Sequence, residues 1–148
     1  VQVSDMFRDP SYFLALRQQV IPYLRSFPSI KVWVAGCSTG EEFYSLAILF
    51  REEGLAARTL FYVTDINCEA LDHAKQGVYS IQRVAAFTQN HQLSGGTTSL
   101  SEYYMADSQR VVFDRSLRER TVFAEHNLVM DSVFAEIHLI SCRNVLIY

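Results

Sequence analysis

The sequence predicts an α/β fold built on a parallel sheet, and three observations carry that prediction. Short apolar runs of strand length, at 31–35 and 60–64, alternate with longer patterns of helical period. A turn bounded by two glycines, Gly36 and Gly40, separates the first run from the helix after it. Asp65 closes the second run, at the strand end where open parallel sheets bring residues to a ligand.

Taken in order, Asp9-Pro10 reads as a helix start, with Asp as cap and Pro at the first helical position. Phe13, Leu16, Val20, Tyr23 and Leu24 give that helix one apolar face, and Pro22 should kink or stop it. Residues 31–35 form a buried strand. Residues 40–53 form a helix with Phe43, Leu46, Ala47 and Phe50 on one face, closed by Gly54. The second strand, 60–64, ends at Asp65. A third helix covers 69–76 and stops at Gly77, a fourth covers 83–92, and 94–99 (SGGTTS) is a flexible loop. Arg110 to Phe113 is a short strand outside the main sheet, and 121–125 and 137–141 are further strands. Four strands at most then belong to the main sheet, few for a complete fold of this class.

Bulk properties exclude several functions. The 148 residues suit one domain, with 49% hydrophobic and 20% charged residues, a net charge of −3 and a pI of about 5.8. Nothing here predicts a nucleic-acid face. No apolar run approaches the roughly 18 residues of a membrane span. Cys37, Cys68 and Cys142 are odd in number and widely spaced, and His73, His91, His126 and His138 lack metal-ligand spacing. Reduced thiols, a cytoplasmic location and no metal are the expectations.

The glycine turn discriminates among ligands. Ser38 stands where a dinucleotide fingerprint needs its central glycine, and Glu41 and Glu42 would repel a pyrophosphate. A cationic nucleoside such as S-adenosyl-L-methionine, with its ammonium and sulfonium, suits a carboxylate wall. Asp65 can accept hydrogen bonds from both ribose hydroxyls. The same residues have a plain structural reading. Ser38-x-x-Glu41 or Thr39-x-x-Glu42 is a capping box, and Asp65 is a helix cap.

Six stretches carry a resemblance: SDMFRDP (4–10), AGCSTGEEFYS (35–45), YVTDIN (62–67), EALDHAKQGVY (69–79), HNL (126–128) and CRNVLIY (142–148). In these the sequence resembles the CheR family of chemotaxis protein-glutamate O-methyltransferases, in family order and over the whole chain. The resemblance implies a Rossmann-like class I methyltransferase using S-adenosyl-L-methionine, and the N-terminal part of a doubly wound parallel sheet. It implies cofactor contacts by Ser4, Arg8, Gly36, Glu41 or Glu42, Asp65, Asn127, Leu128, Arg143 and Asn144. Arg8 and Tyr148 would stand near the reacting centre. Methyl-accepting chemoreceptors would be the substrate, with glutamyl methyl esters and S-adenosyl-L-homocysteine as products.

Each residue also has a structural reading. Arg8 could pair with Asp5 or Asp9, Asn127 could belong to a turn, and Asn144 and Tyr148 could end a strand. Phe7, Trp33 and Phe43 are expected in the core. Where the family has threonine, this chain has Ser4. The family's helical N-terminal domain, its later strands and a small β-subdomain that grips a receptor tail in some members are not expected within residues 1–148, which read as a partial domain. Self-association through a bare sheet edge at Ile137, Leu139 and Ile140 follows. A noncatalytic nucleoside- or partner-binding module, and a small-molecule methyltransferase on the same scaffold, are the alternatives.

Overall fold

A computed structural model describes residues 4–126 and 136–143. Its strands are β1 (Ile30–Ala35), β2 (Thr59–Asp65), β3 (Val78–Ser80), β4 (Tyr104–Ala106), β5 (Arg110–Phe113), β6 (Thr121–Glu125) and β7 (Leu139–Ser141). Its α-helices are α1 (Pro10–Ala15), α2 (Ile21–Leu24), α3 (Glu41–Glu52), α4 (Cys68–Gln76) and α5 (Val84–Leu93).

The main sheet has the order β6-β2-β1-β7, and every neighbouring pair is parallel. The chain steps outward from β1 through β2 to β6, then returns to the other side of β1 as β7. Strand order therefore reverses at β1, the position beyond whose carboxyl end open α/β sheets place their ligands. This is the expected mixed α/β, Rossmann-like arrangement with its four parallel strands.

A second, antiparallel sheet of order β3-β5-β4 lies between β2 and β6 in the chain. Arg110–Phe113 is its central strand, outside the main sheet as the sequence predicts. Its partners β3 and β4 were not anticipated. Strands of three residues are too short to display a period of two. This small sheet lies within residues 78–113.

Helix α3 explains how the two sheets share one core. Phe43 and Phe50 meet Phe61 of β2 edge-on at 5.5 and 5.4 Å, and Phe43 meets Phe123 of β6 at 5.6 Å. On another side Tyr44 stacks on Phe113 of β5 at 5.6 Å and donates a 2.7 Å hydrogen bond to the Ala74 carbonyl. Residues 43–50 are all buried, so α3 is apolar nearly all round. Trp33, like Phe7 and Phe43, is core, and its indole donates to Thr64 Oγ1 at 2.8 Å.

The first helix is neither stopped nor simply kinked at Pro22. A π-helical stretch, Leu16–Val20, joins α1 to α2, and the Ile21 N–H reaches back to the Leu16 carbonyl. Proline removes a donor and crowds the preceding turn, and widening that turn accommodates it. The wide turn carries Arg17 inward. Its guanidinium pairs with Glu52 at 2.7 Å and Glu53 at 3.1 Å, and its Nε donates to the Ser94 carbonyl at 2.9 Å. His91 Nε2 meets Glu52 Oε2 at 2.9 Å, and Thr98 Oγ1 donates to the same oxygen at 2.8 Å. The segment 94–99 is thus a loop but a tethered one, with Ser94 fully buried.

Burial raises the Glu52 carboxyl, but hydrogen bonds from His91 and Arg17 outweigh it and hold the group at about 2, below its ordinary 4.5. A depressed carboxyl contributes stability that is complete above its unfolded value and is lost as pH falls through the folded one. Glu52→Gln should therefore cost about 3 kcal/mol near pH 7, as for breaking a buried ion pair. That gap should close between pH 4.5 and 2. Urea unfolding of both proteins across this range is the check, and a constant gap would contradict the assignment.

Candidate active site

The tip of β1 is built from left-handed residues: Gly36 (φ 66°), Ser38 (φ 53°) and Gly40 (φ 100°). The Cys37 N–H continues the ladder to the Thr64 carbonyl at 2.9 Å, and the Gly40 N–H returns to the Cys37 carbonyl at 3.0 Å. A Cβ on Gly40 would lie 2.9 Å from the Ala74 Cβ and 3.0 Å from the Tyr79 hydroxyl. Glycine is required there by space as well as by φ. Tyr79 also donates to the Thr39 carbonyl at 2.7 Å, fastening the turn to the small sheet. Burial, reinforced by Asp65, raises the Cys37 thiol to about 12, so it is no nucleophile.

Asp65 sits at the end of β2 with 8% exposure. Its Oδ2 accepts the Ser38 N–H at 2.8 Å, and its Oδ1 accepts the Asn67 N–H at 2.9 Å. The cap of α4 is Asn67, whose side chain takes the Glu69 and Ala70 N–H groups at 2.9 and 3.2 Å. Asp65 is therefore a brace between two strand tips rather than a helix cap.

The segment 4–9 lies against this turn. Phe7 (φ 54°) and Asp9 (φ 58°) are both left-handed and flank half-buried Arg8. Such residues cost on the order of 1–3 kcal/mol each and persist where surroundings impose them. Here Phe7 is fully buried, its N–H donates to Ser45 Oγ at 2.7 Å, and Ser45 donates on to the Glu41 carbonyl at 2.7 Å. Asp9 occupies the cap position of α1 but its side chain does not cap; it binds Arg143 Nη2 at 2.7 Å.

Each of the two glutamates has its own arginine. Glu41, 2% exposed, receives Arg83 Nη2 on Oε2 at 3.0 Å and the Thr39 hydroxyl on Oε1. Glu42 receives Ser141 Oγ at 2.7 Å and Arg143 Nη1 at 3.3 Å. Neither capping box forms, since Gly40 takes the cap position with no side chain to offer. Burial raises the Glu42 carboxyl, and Ser141 and Arg143 oppose the rise. Arg143 also donates to the Arg8 carbonyl at 3.0 Å and lies over the Tyr12 ring at 4.1 Å.

Ser4, Arg8, Gly36, Glu41, Glu42, Asp65 and Arg143 are thus connected at the carboxyl end of the main sheet. Asn127, Leu128, Asn144 and Tyr148 lie outside the described residues. Asp5 and Asp9 meet Arg83 and Arg143. The sequence reading missed Arg83, Tyr79 and Ser141 as site residues. Tyr79 closes one of the family-like stretches and could have been found there, whereas nothing in the local pattern marks Arg83.

The family model described as "CheR methyltransferase, SAM binding domain" matches residues 2–148. Over 148 residues the chain is 57% identical to Cher3 of Pseudomonas putida, a protein assigned as a methyltransferase, covering all of this chain and 54% of that one. It is 31% identical over 150 residues to a chemotaxis protein methyltransferase of Listeria monocytogenes, covering 100% of this chain and 54% of the relative. It is 32% identical over 154 residues to chemotaxis protein methyltransferase 2 of Pseudomonas aeruginosa, covering 99% and 52%. The chain spans about half the length of these relatives.

S-adenosyl-L-methionine is the cofactor of this domain type, and the residues present fit it. Asp5, Asp9, Glu41, Glu42 and Asp65 outnumber Arg8, Arg83 and Arg143, so the region keeps a negative excess suited to a cationic ligand. Ile66, beside Asp65, is 67% exposed. The brace role gives a test on the protein without ligand. Asp65→Ala should lower stability by about 3–6 kcal/mol, from two lost bonds to a charged acceptor. Asp65→Asn should fare little better, since its amide would face one N–H with another. Urea unfolding measures both, and unchanged stability would leave Asp65 with no bracing role.

Proposed function

We propose, since this chain belongs to the CheR family of methyltransferases, that the full-length protein transfers a methyl group to glutamate side chains of chemoreceptors in the cytoplasm. The observation that supports this reading is the reversal of strand order at β1, where the braced glycine turn, two glutamates and two arginine-bearing segments meet. Among the described residues no helix is long and apolar enough to cross a membrane.

When bound, the cofactor supplies a methyl group activated on a sulfonium. A glutamate carboxylate is already ionised near neutral pH, so no general base is needed. The chain's contribution is placement and desolvation, which can supply several kcal/mol. Arg143 is committed to Glu42, Asp9 and the Arg8 carbonyl. We give orientation of the acceptor carboxylate to Arg8, held between two left-handed residues. The Arg143 cluster fixes the segment that carries it. Asp65, in addition to bracing, has lone pairs left for ribose hydroxyls, and Gly36 lets the backbone approach closely. Ser4, Asn127, Leu128 and Asn144 are the remaining proposed contacts to the cofactor, and Tyr148 stands with Arg8 near the reacting centre. The products are a glutamyl methyl ester and S-adenosyl-L-homocysteine.

Transfer of labelled methyl from S-adenosyl-L-methionine to receptor-containing membranes tests the reading. Arg8→Ala should lower the rate at least about tenfold, the loss of one charged hydrogen bond, with the melting temperature nearly unchanged. A normal rate would return Arg8 to a structural role. Donor binding without any transfer would favour a noncatalytic module, and transfer to a small molecule alone would favour the third reading.

Residues 1–148 alone should give no transfer to receptor and should self-associate through the outer edge of β7, where Ile140 is 54% exposed. Ile140→Lys should shift this piece toward monomer in sedimentation. Robust transfer by the piece would overturn its reading as a partial domain.

A further inference from the structure

Arg83 lies outside every stretch that points to the cofactor, in the short turn Ile81–Arg83 between β3 and α5. Its Nη2 nevertheless reaches three partners around the site. It donates to Glu41 Oε2 at 3.0 Å, to the Ser4 carbonyl, and to Asp5 Oδ1 at 3.5 Å. The guanidinium lies over the Phe87 ring at 4.8 Å and near the Tyr79 ring at 5.7 Å. Tyr79 in turn holds the Thr39 carbonyl. One cation thus touches the first turn of α3, the N-terminal segment, Phe87 of α5 and Tyr79 of the small sheet.

Glu41 makes this arrangement consequential. Its side chain is 2% exposed, and a carboxylate so buried is tolerable only when paired. With Thr39 on one oxygen and Arg83 on the other, the carboxylate has a fixed orientation. Arg83 itself keeps 35% of its side chain exposed, so it stands at the rim and not in the core.

We propose that Arg83 is a positioning residue for the S-adenosyl donor, holding Glu41 and the Ser4–Asp5 segment together in the arrangement the donor meets. This rests on the methyltransferase reading above. It assigns the donor side of the site a contribution from the segment between β2 and β6, whereas Arg8 serves the acceptor.

The test uses the full-length protein, with Arg83→Gln and Arg83→Lys beside wild type. S-adenosyl-L-homocysteine binding is measured by calorimetry, and KM for S-adenosyl-L-methionine, KM for receptor and kcat by labelled transfer. R83Q should weaken S-adenosyl-L-homocysteine binding and raise the donor KM by about 10- to 100-fold, the range for losing a charged hydrogen bond. The receptor KM and kcat at saturating donor should stay within about twofold, because the acceptor side is untouched. R83K should recover part of the loss, since an ammonium can pair with Glu41 without spanning Ser4 and Asp5 as well. Where R83Q fails to fold, R83K carries the test with a smaller expected loss. Normal donor binding with a lowered melting temperature would overturn the proposal, as would a fall in kcat with donor KM unchanged. Wild-type protein that does not bind S-adenosyl-L-homocysteine would instead overturn the methyltransferase reading itself.

Discussion

The carboxylate of Asp65 is the joint on which the rest of the site depends. Its two oxygens hold the Ser38 and Asn67 N–H groups, so the tips of β1 and β2 cannot move independently. Asn67 then caps α4, and α4 brings Ala74 against Gly40. Gly40 starts α3, and α3 carries Glu41, Glu42 and Ser45. Ser45 fixes Phe7, and Phe7 sets the chain direction through Arg8. The carboxylate proposed to meet the ribose is therefore also the anchor for the backbone around it. A charged acceptor suits both tasks, because bonds from N–H groups to a carboxylate are stronger than neutral ones.

The second constraint is that α3 serves two sheets. A helix with one buried stripe would tolerate small shifts by sliding on its partner. Phe43 and Phe50 against Phe61, with Tyr44 against Phe113, leave α3 no such freedom. Close packing makes the interior stiff, and the left-handed residues at Phe7 and Ser38 need that stiffness. The buried cluster of Arg17, Glu52 and His91 ties the far end of α3 to the first helix and to α5. The His91 ring meets Phe7 at 5.0 Å.

Much of this was legible in the sequence, and the failures are specific. The parallel sheet showed itself because β1 and β2 are apolar runs ending in a glycine turn and an aspartate. Arg110–Phe113 was legible as a strand because three of its four residues are β-branched or aromatic, while β3 and β4 span only three residues each. The capping boxes failed because Ser-x-x-Glu spacing assumes the hydroxyl residue takes the cap position, and Gly40 took it. Asp9-Pro10 marked the right helix start with the wrong bond, since a tertiary partner, Arg143, claimed the carboxylate. Arg83 was invisible for the same reason. Its partners are 42, 78 and 79 residues away in sequence, and no local pattern records such a distance.

The distribution of charge at the site follows from the proposed reaction. The donor is a cation and the acceptor an anion, so a wall of one sign would bind one and repel the other. Free charges of both signs would collapse onto each other. Fixed pairs solve this, because a paired charge presents an oriented field while the surplus of carboxylates over arginines still favours a cation. Here Arg83 is bound to Glu41 on the side of Ser4 and Asp5, and Arg143 to Glu42 and Asp9 on the side of Arg8 and β7. Rings of Tyr79 and Phe87 back the first guanidinium, and Tyr12 and Phe13 back the second. An arginine stacked on a ring and bonded to a buried carboxylate has little freedom left to follow an incoming charge. Its dipole is then set before the ligand arrives, and the cost of orienting it falls on folding rather than on the transfer step.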